Sequence, residues 1–316
     1  MLDLVIIGAG PCGLSCALAA AEAGLQYTVV DKGNVAEAIR RYPVNMTFFS
    51  TSENIEIGNI PLITQGIRPS RSEALKYYQK VAHQANLPVQ RFTEVKAVNK
   101  QDNRFSIKTN RDELAARYVI LATGYYDLPR YLNIPGEDLP HVSHYYTEPY
   151  RYSGTRCLVV GGANSAVEAA LDLYRHGATV TLVHQFAQID QNVKYWIKPD
   201  LENRIKQGEI KAYFNSHLTR ISNDEVQLTT EHEPLTLPAD FVFLMTGYRP
   251  DADFLRSCGV QLRGEALIPE VNPRTYESSV SNLYLAGSII GGEETAKIFI
   301  ENGRHHAQPI IQDILR

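Results

Sequence analysis

One short segment near the N-terminus constrains this chain more than any other. Residues 4–7 (Leu-Val-Ile-Ile) are typical of a buried strand, and residues 8–13 follow as Gly-Ala-Gly-Pro-Cys-Gly. A helix rich in small residues is predicted over 14–21, and a second strand over 27–30 ends at Asp31. In such a unit the glycines let a pyrophosphate approach, the helix N-terminus stabilises that anion, and the acid binds a ribose. The predicted dinucleotide site consists of Gly8, Gly10, Pro11, Cys12, Gly13 and Asp31.

The same order of elements returns in the middle of the chain. A strand is predicted over 157–160, residues 161–166 read Gly-Gly-Ala-Asn-Ser-Ala, a helix follows over 167–173, and a strand over 179–183 ends at His184. This copy either binds a second dinucleotide or is a repeat that has lost its site. The small residues that let a phosphate approach are intact, which favours a second site. The predicted residues of this site are Gly161, Ala163, Asn164, Ser165, Ala166 and His184.

Two Thr-Gly pairs indicate where the modules end. Each pair, at 123–124 and at 246–247, closes an apolar run typical of a buried strand, and Pro and Gly residues interrupt 129–140. Residues 282–287 predict a last strand that returns to the first module, and a helix is predicted over 295–303. We therefore predict an α/β fold with two nested Rossmann-like dinucleotide-binding domains, a discontinuous first domain of residues 1–120 and 250–316 and an inserted domain of residues 121–249.

Composition excludes several classes of protein. The chain has 316 residues, of which 44% are hydrophobic, so it can bury sizeable cores and is not intrinsically disordered. It carries 31 basic and 35 acidic residues without a polybasic block, so we expect no nucleic-acid partner. Its apolar runs are shorter than the ~18 residues of a membrane span, and the N-terminus lacks the basic start of a signal peptide. We expect no membrane partner and a cytoplasmic location.

The cysteines and histidines limit the chemistry that the chain can perform. The four cysteines are predicted to be thiols, because a two-domain cytosolic chain needs no disulfide framework. A Cys-x-x-Cys pair is absent from the sequence, which removes the simplest dithiol redox reaction. The closest histidine pairs, at 141 and 144 and at 305 and 306, lack the spacing and flanking Glu of a metal-binding helix. We expect no bound metal.

Five segments together resemble a known family. Two nested dinucleotide folds with two Thr-Gly pairs resemble the low-molecular-weight thioredoxin reductase superfamily. More closely, the chain is similar to the bacillithiol disulfide reductase (YpdA) family, most specifically through the cysteine in the first glycine turn and the Phe-Ile-Glu-Asn-Gly run. The resemblance covers essentially the whole chain and rests on residues 8–14, 47–53, 122–127, 161–166 and 298–304.

The resemblance implies a thioredoxin reductase-like two-domain flavoprotein. FAD would occupy the first domain and NADPH the inserted one, the substrate would be the disulfide of a low-molecular-weight thiol such as bacillithiol, and the assembly would be a homo-oligomer. Phe49 and Ser50 line the flavin, shape the disulfide pocket, or only pack. The resemblance extends the predicted cofactor-binding residues to Lys32, Phe49, Ser50, Val95, Thr123, Gly124, Lys198, Gly287, Lys297 and Ile298.

Two positions depart from the wider superfamily. The last strand usually ends in Gly-Asp, whose carboxylate takes a flavin ribityl hydroxyl, whereas this chain has Gly287-Ser288. Serine is a weaker anchor with one hydroxyl. The second nucleotide strand ends His184-Gln185-Phe186 where thioredoxin reductases have His-Arg-Arg. Without an acid there we expect NADPH to be preferred over NADH, with Lys194, Lys198 and Arg204 as downstream sources of positive charge.

Cys12 is the candidate redox residue. It lies at a helix N-terminus, where backbone N–H groups lower a thiol pKa, but a neighbouring pyrophosphate would raise it. The phosphate turn usually lies some way from the flavin ring. Cys12 therefore either exchanges electrons with the disulfide or is a small packing residue, and the family resemblance favours the redox role.

Three other functions share parts of this pattern. Flavin-containing monooxygenases have two dinucleotide folds, but residues 139–146 only partly match their signature and the chain is short for that group. Thioredoxin reductase-like ferredoxin–NADP reductases also lack Cys-x-x-Cys, but they carry a C-terminal extension over the flavin. A sensor that binds both cofactors without turnover is the most distant alternative.

Overall fold

A computed structural model describes residues 1–231 and 233–316. The strands of these residues, numbered in chain order, are β1 (Leu2–Ile7), β2 (Tyr27–Val30), β3 (Val89–Gln90), β4 (Val95–Gln101), β5 (Arg104–Thr109), β6 (Glu113–Leu121), β7 (Leu128–Pro129), β8 (Val142–Ser143), β9 (Arg156–Val160), β10 (Thr179–Val183), β11 (Lys211–Tyr213), β12 (His217–Ile221), β13 (Glu225–Thr229), β14 (Pro234–Pro238), β15 (Phe241–Leu244), β16 (Tyr248–Arg249), β17 (Leu262–Arg263), β18 (Ile268–Pro269) and β19 (Leu283–Leu285).

The helices are short or of medium length. The α-helices are α1 (Pro11–Glu22), α2 (Glu37–Arg40), α3 (Ser52–Ile55), α4 (Arg71–Gln84), α5 (Asn164–Arg175), α6 (Lys198–Lys206), α7 (Ala252–Ser257), α8 (Ile300–Gly303) and α9 (Ala307–Ile314). Short 3-10 helices cover Tyr150–Tyr152, Gly287–Gly291 and Arg304–His306. Within the described part of the chain, no helix has the length and apolar character needed to cross a bilayer.

The chain divides into two compact units. The first consists of Met1–Arg40, Thr47–Leu128 and Tyr248–Arg316, and the second of Arg41–Met46 and Pro129–Gly247. These bounds differ from the predicted ones at three places, which are residues 41–46, 121–128 and 248–249. Residues 121–128 belong to the first unit, because the Ala122 N–H donates to the Ile7 carbonyl at 2.8 Å and Lys32 pairs with Asp127 at 3.0 Å.

Residues 41–46 belong to the second unit, which the sequence did not predict. The Val44 N–H donates to the Thr147 carbonyl at 2.7 Å, and the Asn45 side-chain amide donates to Asp172 at 3.1 Å. The Arg41 guanidinium lies 4.4 Å from the centre of the Tyr145 ring. These contacts join residues far apart in sequence, so no local pattern marks this segment.

The first unit is built on a sheet whose order is β3-β2-β1-β6. The outer edge of β6 pairs with β19 along one stretch and with the antiparallel β5–β4 hairpin along another. Strands β1, β2, β3, β6 and β19 pair in parallel with one another, whereas β6 pairs antiparallel with β5. Leu4, Val5 and Ile6 are fully buried, because a parallel sheet is covered on both faces and so requires an unbroken apolar run.

The register of this sheet places the carboxyl ends of four strands at the same edge. Ile7 lies opposite Val30 and Leu121, and Leu121 lies opposite Leu285. The segments that follow β1, β2, β6 and β19 therefore leave the sheet side by side. Ligands of open α/β sheets bind outside the carboxyl ends of the strands, so this edge is where a site is expected.

The second unit repeats the parallel arrangement. Its main sheet has the order β11-β10-β9-β15-β8, with every pair parallel, and β12, β13 and β14 form a separate antiparallel sheet. Val160 lies opposite Val183 and Leu244, so β9, β10 and β15 also end together.

The helix predicted over 295–303 starts later than expected. Residues 295–299 are not helical, and α8 begins at Ile300, where the Phe299 N–H donates to the Asn302 side chain at 2.8 Å. An Asn side chain that accepts from the N-cap backbone ends the extended segment at Phe299.

Candidate functional site

The first glycine turn connects β1 to α1 and is tightly packed on its inner side. Gly8 has a φ of +111°, and a Cβ there would lie 2.4 Å from the Ala122 carbonyl oxygen. A Cβ on Gly13 would lie 1.9 Å from the Gly8 carbonyl oxygen. Glycine is required at both positions, because any side chain would push α1 away from the sheet.

The outer side of the same turn is open. Apart from Gly10 itself and its two chain neighbours, no heavy atom of the described residues lies within 4 Å of the place that a Cβ on Gly10 would take. Gly10 caps the twelve-residue helix α1 in an extended conformation, Pro11 begins the helix, and no described side chain caps it. The glycine turn therefore exposes backbone N–H groups of the first turn of α1 and a surface that carries no side chain. This is the arrangement that accepts a phosphate.

Asp31, which follows β2, is held by the turn itself. Its Oδ2 accepts the Ala9 N–H at 2.7 Å and its Oδ1 accepts the Gly33 N–H at 2.7 Å. Burial raises the pKa of Asp31, and these two N–H groups act in the opposite direction. Each carboxylate oxygen has a second lone pair, so Asp31 can still accept a hydroxyl.

A cleft lies beside this carboxylate at the edge of the sheet. It encloses about 740 Å³, part of which is open solvent. Six of the predicted residues meet in its wall, namely Gly8, Asp31, Lys32, Val95, Thr123 and Gly124. Further lining residues that were not predicted as site residues include Thr93, Glu94, Asp127, Arg249 and Phe254. Asp127 ends a segment that carries the family resemblance. Thr93 and Glu94 precede β4, Arg249 ends β16 and Phe254 lies in α7, and no motif marks these four residues.

Cys12 lies on the other side of the turn, against the C-terminal segment. A Cβ on Gly287 would lie 2.9 Å from the Cys12 sulfur, and a Cβ on Gly303 would lie 2.8 Å from it. The two glycines thus leave the space that the sulfur fills. Although the residue keeps some exposure, burial of the thiol, with a smaller contribution from Glu301, raises the pKa of Cys12 to about 12. The lowering expected from the helix N-terminus is outweighed.

Gly287 is fixed by the buried ring of His306, for which the sequence indicated no role. The Gly287 N–H donates to His306 Nδ1 at 3.1 Å, and the His306 ring stacks on Tyr276 with 4.2 Å between ring centres. Burial lowers the pKa of His306 to about 4, so the ring is neutral and its Nδ1 accepts. Ser288 lies next, and a Cβ on Gly124 would be 3.9 Å from its hydroxyl oxygen.

The remaining predicted residues of the first unit differ in exposure. Phe49 is 55% exposed, whereas Phe48 and Ser50 are buried. Ile298 approaches the Cys12 environment, since its Cγ2 lies 3.5 Å from the place that a Cβ on Gly303 would take. Lys297 is exposed and forms an ion pair with Glu294. Ile298 and the Cys12 sulfur therefore both lie against Gly303.

The second glycine turn, between β9 and α5, repeats the geometry of the first. Gly161 has a φ of +136°, and a Cβ there would lie 2.5 Å from the Met245 carbonyl oxygen and 3.0 Å from the Ala166 side chain. Ala163 is exposed and caps the twelve-residue helix α5, and Asn164 and Ser165 are partly exposed in its first turn. No described side chain caps this helix, so a second phosphate can be accepted here.

His184 covers the second turn instead of pointing outward. A Cβ on Gly162 would lie 2.3 Å from an atom of its ring, so the imidazole lies directly on this glycine. His184 is 8% exposed, and it meets Phe186 edge-on with 5.4 Å between ring centres. Burial lowers the pKa of His184, so the ring is neutral at physiological pH.

The loop after β10 folds over the N-terminus of α5. The Asp190 N–H donates to the Gly162 carbonyl at 3.0 Å, and the Lys194 N–H donates to Asn164 Oδ1 at 2.8 Å. The Lys194 ammonium is buried in an ion pair with Glu168. The positive charge of Lys194 is therefore already paired with a carboxylate in this arrangement.

Lys198 and Arg204 differ from each other in their surroundings. The Lys198 ammonium lies 3.4 Å from the Ile189 carbonyl oxygen and 3.3 Å from the Asp190 carbonyl oxygen, close to the second turn. Arg204 pairs with Glu209 at 2.7 Å and with Asp200 at 3.4 Å. Of the three predicted cations, Lys198 is the one held beside the turn.

Known proteins share this arrangement. The sequence pattern of the pyridine nucleotide-disulphide oxidoreductases matches residues 5–287. The chain is 42% identical to the bacilliredoxin reductase Bdr of Bacillus subtilis, over 99% of this chain and 97% of that protein. Structures of the bacillithiol disulfide reductase Bdr (YpdA) from Staphylococcus aureus and from Bacillus cereus each superpose with a TM-score of 0.97 at 39% identity, covering 99% of this chain and 98% of theirs.

These comparisons confirm the family and the fold class that the sequence predicted. The family pattern spans both glycine turns and extends to Gly287, where the sulfur of Cys12 is enclosed. Both turns are built on parallel sheets, as the prediction of two Rossmann-like units requires. The chain therefore belongs to the pyridine nucleotide-disulphide oxidoreductases and, among them, to the bacillithiol disulfide reductase (YpdA) family.

Proposed function

We propose that this chain is a flavoenzyme that uses FAD and NADPH to reduce the disulfide of a low-molecular-weight thiol, most specifically bacillithiol disulfide. Members of this family are oxidoreductases that use a flavin and a nicotinamide nucleotide. The reaction consumes one NADPH, one proton and one disulfide, and it yields NADP⁺ and two thiols. The disulfide as substrate is supported by the names of the two structural relatives from Staphylococcus aureus and Bacillus cereus.

The observation that carries the proposal is the first turn together with its cleft. The open face at Gly10 and the uncapped start of α1 fit a pyrophosphate, and the adjoining cleft offers Asp31 to a ribose. Thr123, Gly124 and Ser288 lie at the ends of the neighbouring strands, where the rest of a flavin dinucleotide would extend. When bound, FAD supplies the two-electron chemistry, and the protein supplies binding and orientation.

The second turn supports NADPH as the electron donor. The exposed start of α5 at Ala163 fits the pyrophosphate of a second dinucleotide. The residue after β10 is His184, so the strand end lacks the carboxylate that would repel a 2′-phosphate. Lys198 provides the adjacent positive charge.

Cys12 is the proposed reacting thiol. Its thiolate would attack one sulfur of the disulfide, forming a mixed disulfide and releasing one thiol. Two electrons that originate from NADPH, with two protons, would then release the second thiol and restore Cys12. Because burial holds the pKa of Cys12 near 12, the thiol is protonated at neutral pH, and the attack requires prior loss of this proton.

Two further properties are part of the proposal. A homo-oligomeric state is supported by the family resemblance. A cytoplasmic location is supported by the four free thiols, three of them buried, which suit a reducing compartment.

One anaerobic assay tests the proposed function. Purified yellow protein would be mixed with NADPH and, separately, with bacillithiol disulfide, glutathione disulfide, cystine and coenzyme A disulfide. We expect sustained NADPH oxidation with bacillithiol disulfide and two thiols formed per NADPH consumed. Two parallel samples would contain air or ferredoxin in place of a disulfide. Rapid NADPH oxidation in air and none with any disulfide would contradict the proposal and favour a monooxygenase-like enzyme. Turnover with ferredoxin and with none of the disulfides would favour a ferredoxin–NADP reductase.

A further inference from the structure

In dinucleotide-binding units, the choice between NADH and NADPH is usually inferred from the residue at the end of the second strand, which is His184 in this chain. The second nucleotide site also has a carboxylate outside that position. His184 is buried on Gly162 and exposes almost none of its ring. Any charged group that a ribose meets at the end of β10 must therefore come from other residues.

Asp190, in the loop after β10, and Lys198, the first residue of α6, are two charged residues that lie close to this turn. The Asp190 N–H is bonded to the Gly162 carbonyl, and Gly162 is the residue that His184 covers. The Asp190 carboxylate accepts the Asn192 N–H at 2.8 Å, and the residue is exposed. The Lys198 ammonium lies 3.3 Å from the Asp190 carbonyl oxygen, so a cation is held beside the residue that carries the carboxylate.

We infer that Asp190 is a specificity-determining residue for the nicotinamide nucleotide, whose carboxylate opposes the 2′-phosphate of NADPH while Lys198 attracts it. The inference rests on the proposed function, since it concerns the same second site. A fixed negative charge close to the ribose repels a phosphate but has little effect on a ribose hydroxyl, which it can instead accept. The preference for NADPH over NADH then reflects the difference between the attraction by Lys198 and the repulsion by Asp190. It is smaller than the absence of a carboxylate at the end of β10 would suggest by itself.

The size of the effect follows from the exposure of both groups. Charges in contact with water interact weakly and are screened over about 10 Å at 0.1 M salt. Removal of one such charge beside a phosphate is expected to change affinity by about three- to tenfold. The change should decrease at higher salt, because the interaction is electrostatic.

The test compares binding of NADP⁺ and NAD⁺ to the purified, flavin-containing full-length protein by titration calorimetry at low and high salt. We expect Asp190→Asn to tighten NADP⁺ binding by about three- to tenfold and to leave NAD⁺ binding within about twofold, so that the ratio of the two rises. The Asn side chain can still accept the Asn192 N–H, so the loop should keep its fold. Lys198→Gln should lower the same ratio.

Asp224→Asn is the matched control. It removes one exposed carboxylate from the same unit, at the turn between β12 and β13 of the separate antiparallel sheet, and should leave the ratio unchanged. An unchanged ratio in Asp190→Asn, or an equal rise in Asp224→Asn, would overturn the inference. If the unaltered protein prefers NAD⁺, the proposed use of NADPH fails, yet a higher ratio in Asp190→Asn still supports the role of Asp190. Should neither nucleotide bind, both proposals are wrong.

Discussion

Replacing Cys12 by alanine separates chemistry from packing, because the two roles predict effects of very different size. The sulfur fills the space between Gly287 and Gly303, and alanine would leave that space empty. Loss of one buried heavy atom of this kind costs about 1 kcal/mol of unfolding free energy. Loss of a thiol that is essential for turnover is expected to slow disulfide reduction about a thousandfold or more, equivalent to about 4 kcal/mol.

Stopped-flow absorbance of the flavin distinguishes the two half-reactions. We expect Cys12→Ala to keep its yellow colour and to be reduced by NADPH at a normal rate, because that step uses the second turn. Reoxidation of the reduced enzyme by the disulfide should become very slow. Cys16→Ala is the matched control: Cys16 lies one turn later on α1, is fully buried, and should affect stability by a similar amount without affecting turnover.

Undiminished disulfide turnover in Cys12→Ala would refute the redox role and leave Cys12 as a packing residue. A parallel loss of flavin reduction would show that the substitution disturbed the cofactor. A second measurement follows from the pKa near 12: in protein freed of flavin, alkylation of Cys12 should be slow at pH 7 to 8 and should accelerate as pH rises or on unfolding.

Two further substitutions test the packing around the first turn. Gly10→Leu should yield colourless protein, because the side chain would occupy the open face where the pyrophosphate is proposed to bind, and full flavin content in that variant would contradict the site assignment. Gly303→Ala should destabilise the protein by about 1–3 kcal/mol, measured by denaturant unfolding, because its methyl group would press on the Cys12 sulfur. The double variant Cys12→Ala/Gly303→Ala should regain most of this stability, and equal losses in single and double variants would show that the clash is not with the sulfur.

The sequence predicted those parts of the site that depend on neighbouring residues. A strand, a glycine turn, a helix and a strand within about 30 residues form one local unit, so the amino-acid order alone is enough to locate both turns. Gly8 and Gly13 are required by contacts within this unit and with Ala122, which follows β6. The spacing of the glycines in the sequence is therefore a sign of this geometry. The exposed start of each helix also follows from the local pattern.

The environment of Cys12 could not be predicted in the same way. Gly287 and Gly303, which enclose its sulfur, lie far along the chain near its C-terminus, and neither the sulfur nor the glycines carry a local signal of that contact. The balance between a helix N-terminus, which lowers a thiol pKa, and burial, which raises it, depends on this distant packing. The inclusion of residues 41–46 in the second unit has the same origin, since Asn45 bonds to Asp172.

The two glycine turns use acidic residues in opposite ways, although their sequences follow one pattern. In the first, Asp31 at the strand end bonds through its carboxylate to the Ala9 N–H, so the acid is held inside the turn and oriented by it. In the second, the strand end is a buried imidazole, and Asp190 binds the turn through its backbone N–H, which leaves its side chain exposed to solvent. An acid held by its carboxylate has a fixed position and a fixed set of partners, whereas one held by its backbone contributes mainly charge. Selectivity at the second site should therefore depend on ionic strength, and recognition of the ribose at the first site should depend on it far less.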